Sequence, residues 1–428
     1  VSRYSGRRTF TTPRARPTHS QLIGAVVAGL ALLGVLFRPF RTNGAWWAAG
    51  GAVALIALGA VTPRQAGAAL ARGTDVYLFL IGMMALAEFA RTEGVFAWIA
   101  ARAVRAANGS RSRLLLLVYA AGLVTTAFLS NDATIVVLTP AVLAAVRRTD
   151  AAPDAFVFAC ALVANAASFV LPIANPSNLL FFADKMPTLG AWFASFGLAS
   201  VASVGLTYAA LALLFRRDIA PPLVVDDGLA APPRALAAAV LIGGAMALVA
   251  TSSLDGPLGA VTFALGALAA LLSATRERRA PLAVVRGIAW PIVLLTAGLF
   301  VLVEALDLAG AAALPRALFV WGAHQAAPLA QVGTAVAAAL ASNLVNNLPV
   351  GLDLGKYVGA AHPPAALSAA ALIGVNVGPN LTVNGSLATL LWLAVLRRAG
   401  VSITPLRFAA VGLVATPPAL IAAALLAR

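Results

Sequence analysis

The chain has 428 residues, of which 61% are hydrophobic and only 11% charged, with a formal net charge of +15. Soluble domains carry about 25% charged residues, so the composition excludes a soluble protein and points to an all-α polytopic membrane protein. The positive charge does not mark nucleic-acid binding: 28 Arg and 2 Lys are scattered through short loops between apolar runs, with no basic soluble face.

Residues 1–20 form a basic polar tail with five Arg. No small-residue cleavage site follows a short apolar core, so the tail is expected to be disordered rather than a signal peptide. Apolar runs then predict membrane spans over 21–37, 44–61 and 74–90. Segment 92–107 carries Arg102 and Arg105 beside Phe96, Trp98, Ile99 and Val104, which predicts an interfacial amphipathic helix. Residues 114–147 predict a re-entrant hairpin with Ser130-Asn131-Asp132 at its tip. Spans at 154–176 and 190–215 follow, the first interrupted by the polar run from Asn165 to Asn178. Cys160, the single cysteine, lies among apolar neighbours in this region and reads as a core residue; alone, it excludes an internal disulfide or a multi-thiolate metal site. Residues 216–233 are a Pro-rich linker, expected on the cytoplasmic side.

From residue 234 the pattern recurs. Gly82, Glu88 and Gly94 match Gly298, Glu304 and Gly310; Ser130-Asn131 matches Ser342-Asn343; Asn165 matches Asn376; and Asn178-Leu179-Leu180 matches Thr389-Leu390-Leu391, at offsets of 211 to 216 residues. The ordered series predicts two repeats, 21–215 and 234–428. Each half reads as five crossings plus one hairpin, and an odd number inverts the second half. The predicted architecture is therefore two inverted repeats with about ten spanning helices, two re-entrant hairpins and two broken helices. Arginine placement agrees: segment 91–113 holds five Arg, whereas its counterpart, 307–329, holds only Arg316. By the positive-inside rule the Arg-rich loops face the cytoplasm; the five-Arg tail conflicts with that placement, so either it is translocated to the outside or one of the first two spans is miscounted.

Polar residues at membrane depth are expensive unless they line a site, and interrupted helices need partners for their freed backbone groups. The first tip offers Asn131, Asp132 and Thr134; the second offers Ser342, Asn343, Asn346 and Asn347. The broken helices add Asn165, Asn175, Asn376, Asn380 and Ser386, with Pro172, Pro176 and Pro379 removing backbone donors. Amide and hydroxyl side chains both donate and accept, which suits a neutral polyhydroxylated solute. Helix capping or interhelical bonding, worth about 0.6–2 kcal/mol each, is the competing reading for any one of them. Asp132 is the one acidic residue in these runs, and a carboxylate at that depth is a candidate proton carrier; capping a half-helix, for about 1 kcal/mol, is its competing role. Glu88 and Glu304 read as structural, Glu88 by pairing with Arg91. The three His lie in the tail and in loops and suggest no metal site. No phosphate loop or catalytic triad appears, so neither ATP hydrolysis nor any cofactor is expected.

Three stretches, FLSNDATIVVLTP, SNLVNNLP and GPNLTVNGSLATLLWL, resemble the arsenite efflux permeases of the ArsB type, within the larger ion-transporter superfamily. The resemblance runs from about Leu30 to the C-terminus. It implies export of trivalent arsenic and antimony hydroxides (arsenite and antimonite) in exchange for protons across the inner (plasma) membrane. It also implies an assisting ATPase subunit in some organisms. Asn131, Asp132, Asn343, Asn346, Asn347, Asn376 and Asn380 match motif positions. Some relatives carry an acidic residue where this chain has Asn165 or Asn376, and some have Lys at Asn380, which leaves Asp132 as the main titratable candidate. Two other readings remain open from the residues alone: a sodium/proton antiporter or small-anion carrier of the same superfamily, and a membrane-embedded enzyme or scaffold. The lack of Lys or Arg in the four polar runs weighs against a dianionic substrate.

Overall fold

A computed structural model describes residues 18–39, 42–183, 185–224, 235–273, 280–311 and 313–428. The expected disordered tail, up to residue 17, and the linker from residue 225 lie outside these. Among the described residues the chain is helical, with no β-strand. The first half runs α1 (His19–Phe37), α2 (Gly44–Ala57), α3 (Pro63–Arg72), α4 (Thr74–Thr92), α5 (Val95–Ala106), α6 (Arg111–Leu129), α7 (Asn131–Ala133), α8 (Thr139–Val146), α9 (Asp154–Ala166), α10 (Pro176–Phe181), α11 (Leu189–Leu214) and α12 (Arg216–Ile219). The second runs α13 (Ala235–Ser253), α14 (Leu258–Ser273), α15 (Ala280–Gly287), α16 (Trp290–Leu308), α17 (Ala313–Ala323), α18 (Ala327–Val345), α19 (Asn347–Ala361), α20 (Ala365–Val377), α21 (Leu387–Arg398) and α22 (Pro405–Leu425).

Helix starts follow local chemistry. Thr18 with Gln21, and Thr62 with Gln65, close capping boxes at α1 and α3, while Asn43, Ser110, Thr188 and Thr404 cap α2, α6, α11 and α22. Among the described residues, seven helices are long and apolar enough to cross a membrane, or eight if the bent pair α3–α4 counts as one span. α2, at 14 residues, is shorter than the span predicted over 44–61, and α14 has 16 residues. Segment 92–107 folds as the expected short helix, α5, with Phe96 and Val104 buried and Arg102 and Arg105 exposed.

Helix bounds repeat along the chain. α4 and α16 are each 19 residues and start 216 residues apart, and so are α6 and α18. Small residues bring the halves together crosswise. A Cβ on Gly82 of α4 would stand 2.3 Å from the Thr262 carbonyl oxygen of α14; one on Gly298 of α16 would stand 2.6 Å from the Ala48 backbone of α2. Such close backbone approach is how membrane helices gain packing energy where burial from water supplies none.

Contacts sort the loops into two ends. At one end Arg111 binds Asp150 at 2.8 Å, the Leu223 N–H donates to the Gly109 carbonyl at 2.8 Å, Arg147 donates to the Ala399 carbonyl, and Arg407 pairs with Asp154. At the other, Arg72 pairs with Glu304, the Gly259 N–H donates to Asp75 at 2.9 Å, and Gln331 donates to the Ala427 carbonyl at 2.8 Å.

Candidate functional site

Each hairpin turns at a non-glycine residue in the positive-φ region. Ser130 has φ 83° and ψ 158°; Asn346 has φ 82° and ψ 149°. Side chains avoid this region, and a residue held there marks a constrained site. The Ser130 N–H donates to the Thr126 carbonyl at 3.1 Å, and the Asn346 N–H to the Ser342 carbonyl at 2.8 Å. This corrects the pairing expected from sequence. The second tip is Asn346-Asn347, one turn beyond Ser342-Asn343, because a Ser-Asn pair happens to recur on the helix before the break. The structural counterpart of Asp132 is therefore Leu348.

Beyond the tips the hairpins differ. Thr134–Leu138 winds as a π-helical turn before Thr139-Pro140. Pro140 lies in the body of its helix, where it removes a donor and crowds the preceding turn, and a wider turn accommodates it. Thr139 Oγ1 covers the Thr134 carbonyl at 2.9 Å. In the second hairpin Pro349 falls in the first turn of α19, where the missing N–H has no intrahelical partner to lose.

The broken helices resume at matched caps. Asn175 Oδ1 accepts the Ser177 N–H at 3.0 Å to start α10, and Ser386 Oγ accepts the Ala388 N–H at 3.1 Å to start α21. Residues at all four helix starts line one small cavity: Asn131 and Asp132, Asn347 and Leu348, Asn175 and Pro176, and Ser386 to Ala388, with Ile292 of α16. Its volume of about 10 Å³ holds roughly one water molecule. The Oδ1 atoms of Asn131 and Asn347 are buried there without a hydrogen-bond partner. Asp132 is partly buried and takes no hydrogen bond or ion pair among the described residues. Three acceptors thus converge where four helix N-termini, each carrying partial positive charge, also point. No Lys or Arg lines the cavity.

Of the residues expected at the site, Asn131, Asp132, Asn175, Asn347 and Ser386 line this cavity, and the others stand behind it. Thr134 Oγ1 bonds Thr126 at 2.8 Å across the first hairpin. Asn165 donates to Asn380 at 2.9 Å, and Asn380 donates to the Leu162 carbonyl at 3.0 Å. Asn376 accepts from Asn175 at 2.8 Å and donates to Asn178 at 2.9 Å. Asn343 donates to the Ala339 and Gly378 carbonyls, both at 2.8 Å, and accepts from Thr382 at 2.7 Å. Asn346 Oδ1 accepts the Leu348 N–H at 3.3 Å, so it caps its own half-helix. Ser342 is fully buried one turn before the tip, and its Oγ has no partner. Behind the cavity the Asn165 Oδ1 is also buried without a partner, Asn175 both lines the cavity and caps α10, and Asn178, Asn343, Asn346 and Asn380 bond backbone groups.

Two features escaped the sequence reading. Asn178 donates to the Ser168, Leu171 and Pro172 carbonyls at 2.8 to 3.3 Å and so holds the first broken helix open; its place inside a polar run was the available signal. Asp353 and Lys356 add charge to α19 outside every polar run. Glu88 does pair with Arg91, whose Nε lies 2.7 Å from it. Cys160 is buried in the core, as expected.

Comparison with known proteins extends the motif resemblance over most of the chain. The arsenical pump membrane protein of Escherichia coli is 28% identical, across 93% of this chain and 96% of its own. An uncharacterized transporter of Mycobacterium tuberculosis is 27% identical, across 91% of this chain and 94% of its own. Among solved structures, the YdaH transporter of Alcanivorax borkumensis shares the fold with a TM-score of 0.55 at 16% identity, covering 95% of this chain and 97% of that one. These likenesses and the apolar helices make the chain a multi-pass membrane transporter rather than an enzyme. The family described as Citrate transporter matches residues 32–382, most of the sequence, which include three of the four helix starts at the cavity: the chain belongs to the citrate transporter (CitMHS) family.

Proposed function

We propose that the protein exports trivalent arsenic and antimony hydroxides in exchange for protons across the inner membrane, by alternating access around the four-helix-start cavity. The observation that carries this reading is the pair of buried amide oxygens, on Asn131 and Asn347, that lack donors beside the unpaired Asp132. A small neutral triol supplies O–H donors to such acceptors, and its oxygens suit the N-terminal amides of half-helices. One cysteine, buried away from this cavity, offers no thiolate trap, so binding by hydroxyl hydrogen bonds stays weak and releasable. Asp132 binds either a proton or the solute in the same pocket, and that competition couples the two fluxes. The names of the Escherichia coli relatives support the arsenical substrate.

The halves 21–215 and 234–428 are read as inverted repeats, with the Arg-rich end cytoplasmic; the recurring helix bounds and the two-ended sorting of loop contacts support this. A carboxylate substrate, which the family description raises, is disfavoured by the absence of any cation at the cavity. An assisting ATPase subunit, if used, docks on the cytoplasmic end. The test is uptake into everted vesicles. Arsenite accumulation driven by an inside-acid gradient, and lost in Asp132→Asn, is the expected result. Sodium-driven activity without arsenite movement overturns the reading.

A further inference from the structure

The second hairpin carries a cluster of charge that the first lacks. Lys356 of α19 donates to Glu304 at 3.2 Å and also to Asp307, both on α16. Arg72, at the end of α3, pairs with Glu304 from the other side. Asp353 lies one turn before Lys356 on α19, the helix that Lys356 ties to Asp307 of α16, within range of the charges of Asp307 and Lys356, but it has no hydrogen bond or ion pair of its own among the described residues. α10, α18 and α20, which also pack on α19, bring no charged side chain, and α17 brings only the exposed Arg316, outside these ion pairs. The group therefore sets three carboxylates against two cations.

At the corresponding places in the first half stand Glu88, Arg91, Val137 and Pro140, which form one closed ion pair and nothing more. Three partly buried carboxylates with two cations are neutral only when one proton is added, and like charges at close range favour adding it. On one side Arg72 joins the cluster to a recess of about 390 Å³ that it lines with Asp75, Lys185 and Asp255. On the other side, Leu348 of the same helix lines the cavity with Asp132. Five residues of helix, roughly 7–8 Å of rise, separate Leu348 from Asp353.

We propose that this cluster takes up one exchangeable proton, carried on Asp353, forming a second proton site between the cavity and the end of the molecule away from the arginine-rich loops. The step is a plain proton transfer between carboxylate oxygen and water. Its place on a transport path rests on the proton-coupled reading above, but its existence does not.

Infrared difference spectroscopy of the purified protein in liposomes, acid minus alkaline, reads it without any substrate. The wild type should lose two protonated-carboxyl C=O bands on alkalinisation. Asp132→Asn should remove one and Asp353→Asn the other. Both bands persisting in Asp353→Asn overturns the proposal. Should that variant fold poorly, Asp353→Glu serves: a band moved in frequency supports the site, and an unmoved one overturns it. In everted vesicles, Asp353→Asn should flatten the pH dependence of exchange while keeping at least a tenth of the maximal rate, and Asp353→Glu should restore the profile. Failure of arsenite uptake in the wild type would overturn the substrate reading and leave the infrared result standing.

Discussion

At Ser130 the first hairpin turns with φ 83°, and at Asn346 the second turns with φ 82°, yet the residues that follow them do different chemistry. After Ser130 come Asn131, Asp132 and a π-helical turn; after Asn346 come Asn347, Leu348 and an unbroken α-helix. One backbone solution thus presents a carboxylate in one half and an isobutyl group in the other. The paired amides supply a symmetric rim, and titratable chemistry at the cavity belongs to one half only. The second hairpin keeps its charge farther down α19, at Asp353 and Lys356.

The sharpest way to break this comparison is to exchange the paired residues. Asp132→Asn should reduce arsenite exchange in everted vesicles by at least 100-fold, whereas Leu348→Asn should cost less than tenfold. Equal losses would mean that the halves are functionally alike. A smaller contrast lies between Asn343 and Asn131. Asn343→Ala removes three hydrogen bonds and leaves the Thr382 hydroxyl without its acceptor, so it should destabilise the protein by about 1–3 kcal/mol, seen as lower thermal stability in detergent. Asn131→Ala, already lacking a partner for its oxygen, should instead leave stability within about 1 kcal/mol and raise the KM for arsenite.

Next comes the turn itself. Ser130→Gly relieves positive-φ strain and should stabilise the protein by about 1 kcal/mol. Asn346→Gly gives the same relief but loses the bond to the Leu348 N–H, so its change should be close to zero. Thermal unfolding of the two variants side by side reads the difference; an equal gain in both would show that the Asn346 cap contributes nothing. The smallest effect belongs to Asp150, which ties the base of the first hairpin to the segment after α12. The Val224 N–H, and after it Arg111, hold its carboxyl below the usual carboxylate range. A depressed native value stabilises above the unfolded value, near 3.9, and that contribution fades as pH falls through the native one. Asp150→Asn should therefore loosen the Gly109–Leu223 contact at neutral pH, read as faster amide exchange there, and match the wild type in strong acid.

Much of this was legible from residue types. Pro172, Pro176, Pro379 and the asparagines announced broken helices because proline cannot donate and amides are costly in lipid. The register of the second tip was not legible. Ser342-Asn343 and Asn346-Asn347 lie one turn apart, and only backbone geometry decides which of them turns. The π-helical turn at Thr134–Leu138 was hidden as well, since Pro140 predicts a disturbance but not its form. Side-chain type also could not separate Asn131 from Asn343. Whether an amide faces a cavity or a backbone carbonyl depends on how distant segments pack, as when Gly378 brings its carbonyl to Asn343. Asp353 went unread because it and Lys356 lie beyond the polar run, separated from it by the apolar stretch from Leu348 to Leu352.

The crosswise glycine contacts constrain how the protein is made. α4 leaves the ribosome with Gly82 exposed, and its partner α14 is synthesised only after roughly 170 further residues, about ten to thirty seconds at 5–20 residues per second. Until then the first half has no mate for that face, and α2 waits longer still for Gly298. Insertion of the first half must therefore be completed around an unfinished seam, held in the meantime by lipid or by the insertion machinery, and a chain arrested between the halves would expose that seam to quality-control proteases.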